Sequence, residues 1–171
     1  PGTLIHGGEH TMEVRKAVTG IAIDRNVGKI TVRGVIDRPG VAAGLLQPLA
    51  DAGVSVDVIV QNASSDGTTD FTFTVAQASV DRAAEVIGRD STVQYAEVVT
   101  GSDLAKVSIV GTGMENAPGY AARMFSTLSE VGVNIDMITT SEIRITTIID
   151  RDQVKKAVKA LHDAFELEKS E

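Results

Sequence analysis

The sequence has no cysteine and no tryptophan, and its 171 residues include only four phenylalanines and two tyrosines. Without cysteine there are no disulfides, thiolate metal sites or cysteine nucleophiles, and a reducing cytoplasm is the expected location. The scarcity of aromatic residues removes the stacking platforms on which single-stranded nucleic acid is bound. No apolar run reaches the length of a membrane span, so we expect no membrane partner.

Charge and the remaining composition narrow the functions expected of this chain further. The net charge is −7 with a pI near 4.9, and Lys and Arg form no basic stripe, so we expect no nucleic-acid partner. Only three histidines occur, with His6 and His10 far from His162, and we expect no metal site. The 43% of hydrophobic residues suffices for a packed core of β-branched strands under helices.

One sequence pattern occurs twice in this chain. The run "LADAGVSVDVIVQNASS" (Leu49–Ser65) matches "LSEVGVNIDMITTSEIR" (Leu128–Arg144) at a shift of 79 residues. The same shift superposes Pro39-Gly40 on Pro118-Gly119, and "KITVRGV" recurs upstream as "KVSIVGT" at a shift of 77. Matches spread over this length indicate a duplicated structural unit.

The sequence pattern of the repeated unit predicts strands and helices in the order β-α-β-β-α-β. Apolar spacing predicts the helices, and a proline near each first turn and a glycine after each last turn mark the ends of the first helix of each copy. The sequence therefore predicts an α+β fold, the ferredoxin-like βαββαβ, as two tandem modules. The predicted strands are Lys29–Val35, Val54–Gln61, Thr68–Ala76, Thr92–Val99, Lys106–Thr112, Val133–Thr140 and Ile143–Asp150, and the helices are Val41–Ala52, Val80–Arg89, Tyr120–Val131 and Gln153–Phe165.

The second copy lacks a closing strand, since only "ELEKSE" follows its last helix. A spare strand pattern, "KAVTGIAIDR", lies at Lys16–Arg25. We expect this segment to cross over and complete the second sheet. The predicted division is a lead-in at 1–13, the crossing strand at 14–25, a first module at 26–100 and a second at 101–171.

The chain offers little for catalysis. "GTGMENAPG" (Gly111–Gly119) contains G-x-G, but its spacing is wrong for a dinucleotide turn, so we expect no nucleotide cofactor. No Ser-His-Asp or Cys-His set is available. Asp57 and Asp136 are related by the repeat, which favours structure or ligand contact over acid–base work. We expect this chain alone not to be an enzyme.

A binding function fits the repeated helix start better. The first turn of a helix offers free N–H groups and a positive dipole end, both suited to a carboxylate, and Gly40 and Gly119 would allow close approach. Asp37 could pair with an ammonium group, while Gln61 and Asn62 could contact the rest of a small zwitterion. D-x-P-G is also an ordinary turn and N-cap sequence, and Gln61 and Asn62 also suit a turn, so the residues alone leave both interpretations open.

These residues resemble the regulatory ACT modules of aspartokinases. "VIDRPGVAAGLLQPLADAGVSVDVIVQNAS…GTTDFTFTV" is similar to the first module and "NAPGYAARMFSTLSEVGVNIDMITTSEIRITTII" to the second, over essentially the whole chain. Within the lead-in 1–13, "PGTLI" (Pro1–Ile5) resembles the end of the family's catalytic domain. The chain thus resembles either the separate regulatory β subunit, expected to start near Met12, or a regulatory region cut from a longer enzyme.

The resemblance implies feedback inhibition of ATP-dependent aspartate phosphorylation, in lysine, threonine and methionine biosynthesis, by bound threonine, lysine or both. It also implies a homodimer, a catalytic α subunit as partner, and effectors at module–module interfaces between two chains. One site would comprise Asp37, Arg38, Gly40, Val41, Ala42, Gln61 and Asn62, with Asn134 and Ile135 from a second copy. The related site would comprise Met114, Ala117, Gly119, Tyr120, Ala121, Ser141 and Glu142, with Val56 and Asp57.

The two predicted sites differ at the position of the ammonium partner, and other functions stay open. Asn116 stands where the first copy has Asp37, so the second site lacks one ammonium partner. A stand-alone ACT-type sensor for another enzyme, or a scaffold that only assembles subunits, remain alternative interpretations of the same residues.

Overall fold

A computed structural model describes residues 17–63, 66–90, 92–114 and 118–167. Within these ranges the α+β class is confirmed, with four helices against one six-stranded antiparallel sheet of order β2-β3-β1-β4-β6-β5. None of these helices has the length and apolar character needed to cross a bilayer. The elements are β1 (Gly20–Ile36), α1 (Val41–Asp51), β2 (Val56–Ala63), β3 (Thr68–Val75), α2 (Val80–Arg89), β4 (Glu97–Val110), α3 (Tyr120–Glu130), β5 (Met137–Ser141), β6 (Arg144–Asp150) and α4 (Val154–Ala164).

Two long strands are shared by both modules. The first module consists of α1, α2, β2 and β3 with the C-terminal half of β1, and the second of α3, α4, β5 and β6 with the C-terminal half of β4. The N-terminal half of β1 pairs with the second module, from Gly20 opposite Val110 to Asp24 opposite Lys106. The C-terminal half pairs with β3 and with the start of β4. Divisions after residues 25 and 100 therefore fall inside continuous strands.

The fusion of strands differs from the sequence prediction. The sequence predicts Lys16–Arg25 and Lys29–Val35 as separate strands, but residues 20–25 and 29–35 lie within the one 17-residue strand β1. In the same way residues 97–99 and 106–110 of the predicted strands Thr92–Val99 and Lys106–Thr112 lie within the one 14-residue strand β4. The register of β1 with β4 is irregular between Asp24 and Lys29. The polar residues and the glycine that suggest a break between two strands lie in this irregular stretch. Bulges of this kind bend a strand and increase its twist without ending it.

The ends of α1 and α3 follow the predicted chemistry. Gly53 and Gly132 have φ values of 72° and 67°, and the N–H of each donates to the carbonyl three residues before it, at 2.9 Å. The next N–H, of Val54 or Val133, donates to Leu49 or Leu128 at 2.9 Å, completing a Schellman motif. Pro39 and Pro118 directly precede the N-cap glycines, near the first turn as the sequence predicts.

Each module has its own apolar core on the face of the sheet that carries the helices. In the first module Leu49 of α1 and Phe73 of β3 are fully buried, and in the second Leu128 of α3 and Ile109 of β4 are. We call the opposite side of the sheet the open face. A small third cluster lies on it and draws on both modules: Val27, Leu104 and Ile148 are buried there, with Val58 and Met137 packed against them.

The two halves of the open face approach each other. In the sheet order, β4 and β6 separate β1 from β5, so β1 and β5 would lie roughly 14 Å apart in a flat sheet. Side chains perpendicular to such a sheet would not meet. Yet Lys29 of β1 contacts Asp136, which directly precedes β5, at 2.5 Å. The sheet is therefore coiled, and the two halves of the open face meet around the third cluster.

The N-terminal end of the described chain is built into the second module. Val18 is buried in the second core, and the N–H of Thr19 donates to Val110 at 2.8 Å. A methyl group on Gly111 would lie 1.9 Å from the carbonyl oxygen of Ala17, and one on Gly113 would lie 2.6 Å from its Cα. The G-x-G pattern thus makes room for this segment, a role that the sequence did not reveal.

Candidate functional site

The helix starts singled out by the repeat share an unusual geometry. The N-cap residues of α1 and α3 are Gly40 and Gly119, with φ values of 96° and 103°. A Cβ at either position would meet nothing within 4 Å, so the left-handed backbone, and not lack of space, requires glycine. The carbonyl of each accepts the first helical bond, from Gly44 or Arg123, at 2.9 Å.

The electrostatics of these two helix starts differ from those of α2. A glycine N-cap has no side chain with which to bond the first N–H groups. The first turn of α1, "VAAG", and that of α3, "YAAR", contain no acidic residue, whereas α2 has Asp81 in its first turn. The positive ends of the α1 and α3 dipoles are therefore uncompensated, and an anion there would be stabilised by about 0.3–1 kcal/mol or more.

Around α1 the register brings two predicted residues to the same end of the first module. Asp37 follows β1, and its N–H donates to the carbonyl of Gly67 at 2.9 Å. Gln61 of β2 lies opposite Phe71 of β3, whose side chain is in the core with Val41 of α1. Gln61 therefore projects on the helix-bearing face, and its exposed side chain shares that face with the start of α1.

The register separates Asn62 from this group. Asn62 lies opposite Asp70, on the open face, while its backbone carbonyl accepts a hydrogen bond from the hydroxyl of Thr69. Arg38 donates to the carbonyl of Thr92 at 3.2 Å, which holds the loop before α1 against the loop before β4. Val41 is 4% exposed, and its N–H donates to the carbonyl of Arg38 at 3.3 Å, so its side chain is not available to a ligand.

The remaining two residues of the first predicted site belong to the second module. Asn134 is exposed, and Ile135 packs against the second core. The helix-bearing faces of the two modules point away from each other, because the open faces meet. Within one chain, therefore, Asn134 and Ile135 do not join Gln61 and the start of α1.

The second predicted set is more dispersed. Met114 is 8% exposed and lies in the second core, against which Tyr120 and Ala121 also pack. The N–H of Gly111 donates to the carbonyl of Ile143 at 2.9 Å, tying the loop before α3 to the turn that contains exposed Glu142. Ala117 lies outside the described residues.

A cleft of about 450 Å³ on the open face brings part of this set together across the modules. Asp57 of β2 and Ser141 of β5 both line it, above a floor that includes Ser108 and Thr146. The hydroxyls of Ser108 and Thr146 are buried and 2.7 Å apart. Val56, the remaining predicted residue, instead packs against the first core.

Two lysines belong to the same region and were missed by the sequence reasoning. Lys106 of β4 contacts Asp57 and lies 3.5 Å from Asp24, and Lys29 contacts Asp136. The lysines and the aspartates each recur in the repeat, and that recurrence was the available signal. In the described ranges no cluster of three or more His, Cys, Asp and Glu residues could hold a metal ion.

Comparison with known proteins identifies this architecture. Models of the ACT domain match residues 30–90 and 107–165. An aspartate kinase of Pseudomonas fluorescens is 46% identical over 169 residues, which cover 98% of this chain and 41% of that protein. The chain thus spans about two fifths of the length of the curated relatives it matches.

Solved structures give the same result. In a crystal structure of aspartokinase alpha and beta subunits, one chain is 45% identical with a TM-score of 0.82, covering 88% of this chain and 100% of that one. The regulatory subunit of aspartate kinase from Thermus thermophilus is 38% identical with a TM-score of 0.81, covering 88% and 99%. The resemblance seen in the sequence is confirmed: this chain, with its two tandem ACT domains, belongs to the family of aspartokinase regulatory regions.

Proposed function

We propose that this chain is the feedback-sensing part of an aspartokinase and that it binds end-product threonine, with lysine as the second candidate effector. The observation that carries the proposal is the pair of uncapped helix starts, each opened by a left-handed glycine and free of acidic residues. At the first, Asp37 can receive the ammonium group while the first-turn N–H groups that follow Val41 receive the carboxylate. Gln61 then lies on the face where the side-chain hydroxyl would be.

A second copy of the chain supplies the missing half of this site in our proposal. The outermost strands of the sheet are β2 and β5, and Ile59 and Ile138, related by the repeat, are 47% and 46% exposed on them. Pairing β2 of one copy with β5 of another would cover both edges. It would also bring Asn134 and Ile135 of that copy towards Gln61, so the homodimer and the effector site form together.

Effector binding across two chains would stabilise the associated form. A ligand that binds only this form at a hundred times its dissociation constant contributes about 2.7 kcal/mol per site. We propose that this free energy shifts a catalytic partner, or a catalytic domain in the same polypeptide, towards its inhibited state. Aspartate phosphorylation by ATP is then the regulated reaction.

Isothermal titration calorimetry with threonine and with lysine tests the proposal. We expect Asp37→Ala and Gln61→Ala to abolish threonine binding, because they remove the ammonium partner and the contact on the helix-bearing face. Asn62→Ala is the matched control, since Asn62 neighbours Gln61 on the same exposed strand but lies opposite Asp70 on the open face. Unchanged affinity in the first two variants would contradict the assigned site.

A second experiment separates the regulatory function from a scaffold. Combined with an aspartokinase catalytic chain, this chain should make aspartyl phosphate formation sensitive to threonine or lysine. The Asp37→Ala variant should restore activity in the presence of the effector. Assembly with the catalytic chain but no response to any amino acid would favour the scaffold interpretation.

A further inference from the structure

Two ion pairs join the modules reciprocally across the open face. Lys29 of the first module contacts Asp136 of the second, with Nζ and Oδ2 2.5 Å apart, and Lys106 of the second contacts Asp57 of the first. The lysines are 77 residues apart and the aspartates 79, the two shifts of the repeat. Each lysine lies on a central strand of the sheet, whereas Asp57 lies at the start of the outer strand β2 and Asp136 directly precedes the outer strand β5.

The pairs are sensitive to how the two modules are oriented. Each crosses three strand spacings of the sheet order, so it forms only while the sheet is coiled and the open faces meet. The lysine side chains are mostly shielded, at 23% and 20% exposure. Lys106 also lies 3.5 Å from Asp24, so its charge is held by two carboxylates. Unlike a pair within one hairpin, these pairs break if the modules turn relative to each other.

Both aspartates belong to segments expected to contact an effector. Asp136 directly follows Asn134 and Ile135, and the N–H of Asp136 donates to the carbonyl of Ile148 at 2.8 Å. Asp57 follows Val56 at the start of β2. A ligand that shifts either segment therefore acts on a lysine anchored in the other module.

We propose that these two ion pairs couple the effector sites of one chain, so that occupancy of one changes the affinity of the other. This rests on the proposed function for the location of the sites. The coupling is reciprocal, as linkage requires. Partly exposed ion pairs contribute modestly, so each pair changes the ratio of the two stepwise dissociation constants by roughly two- to fivefold.

The experiment compares Lys29→Met and Lys106→Met with the unmodified chain in two-site threonine titrations. Both variants leave the residues of the effector segments unchanged and remove only the cation that contacts them from the other module. Arg33→Met is the matched control: Arg33 is also a cation on β1, and its pair with Glu97, at 2.9 Å, lies within the first module. We expect the ratio of stepwise constants to change by roughly two- to fivefold in the lysine variants and not in the control. An unchanged ratio in the lysine variants, or equal changes in all three variants, would overturn the proposal.

A charge swap and a ligand-free measurement distinguish lost coupling from misfolding and from failed binding. Lys29→Asp combined with Asp136→Lys should restore the ratio that Lys29→Asp alone removes, which a merely misfolded variant would not do. If no amino acid binds, the proposed function fails, and amide hydrogen exchange then decides the coupling between modules. Exchange in residues 133–137 should accelerate about two- to fivefold in Lys29→Met but not in Arg33→Met, and unchanged exchange would refute the coupling.

Discussion

The two modules are copies of one fold that differ where their elements end. Both have a glycine-capped helix, a Schellman motif and a hydroxyl pair on the open face, Thr31 with Thr72 and Ser108 with Thr146. The hairpin of the first module is longer, because Asn62 pairs with Asp70 whereas Ser141 pairs with Arg144. Duplication has preserved the parts that build the core and the helix start, while the loops beside the helix start have diverged.

A second difference lies in how each module completes its sheet. The first module receives the start of β4, which follows it in the chain, whereas the second receives the start of β1, which precedes both modules. The second module therefore depends on a segment from the far end of the sequence. This dependence makes the second module the more vulnerable of the two to change at the N-terminus.

Deletion of residues 12–25 should produce the largest difference in stability between the two modules. The second module would lose the strand beside Lys106–Val110 and the buried Val18, so we expect it to unfold while the first module keeps its structure. Amide-resolved NMR would show lost dispersion only for second-module signals. A stable truncated chain with both modules folded would refute the crossing-strand hypothesis.

Gly111→Ala should have the next largest effect, again confined to the second module. Its methyl group would overlap the backbone of Ala17, and overpacking of this kind costs about 1–3 kcal/mol or more. Gly20→Ala is the matched control, because Gly20 lies opposite Val110 in the same pair of strands and a Cβ there meets nothing within 4 Å. Urea unfolding should show destabilisation by the first substitution only, and equal stability of the two variants would argue against the close contact.

These two predictions indicate which features of the fold could be predicted from the sequence. The helices and the glycine C-caps follow from local signals, and all of them are present within a few residues of the predicted bounds. The fusion of strands does not follow, because Gly28 and Gly101 suggest breaks locally. A Cβ on Gly28 would lie 2.1 Å from the Val80 side chain, so this glycine serves helix packing, which no local pattern records.

The candidate site was only partly predictable for the same reason. The placement of Asp37 and Gln61 at the same end of the first module as the start of α1 follows from strand order within one module. The faces on which Gln61 and Asn62 lie depend on the register of β2 with β3, which a bulge between Val56 and Ile59 shifts. The ion pairs of Lys29 and Lys106 depend on the coiling of the whole sheet, a property of tertiary structure alone.

Gly40→Ala and Gly119→Ala sharpen the comparison between the two helix starts. Each forces a non-glycine residue into a left-handed backbone, which costs roughly 1–2 kcal/mol, and neither meets a neighbour, so we expect equal losses of stability. Their effects on threonine binding should differ, with the larger loss of affinity in Gly40→Ala, since only the first module has an aspartate at the position of Asp37. Thermal unfolding and calorimetry on the same samples would measure both, and equal losses of affinity would show that Asp37 does not distinguish the sites.

The smallest expected effect concerns acid stability and the loop that closes the first module. The Thr92 hydroxyl, and then its backbone N–H at 2.8 Å, hydrogen-bond the carboxylate of Asp90 and lower its pKa below the ordinary 3.8. A pKa depressed by folding stabilises the native state above the unfolded-state value, and this contribution is lost as the pH falls through the folded-state value.

Thr92→Val removes the hydroxyl but keeps the N–H, so the pKa of Asp90 should rise towards 3.8. The stability of the variant relative to the unmodified chain should then recover below pH 3.8, because the hydroxyl no longer stabilises Asp90 once its carboxylate is protonated. NMR titration of the Asp90 carboxyl carbon would measure the shift, and an unchanged pKa would show that the hydroxyl does not hold the carboxylate.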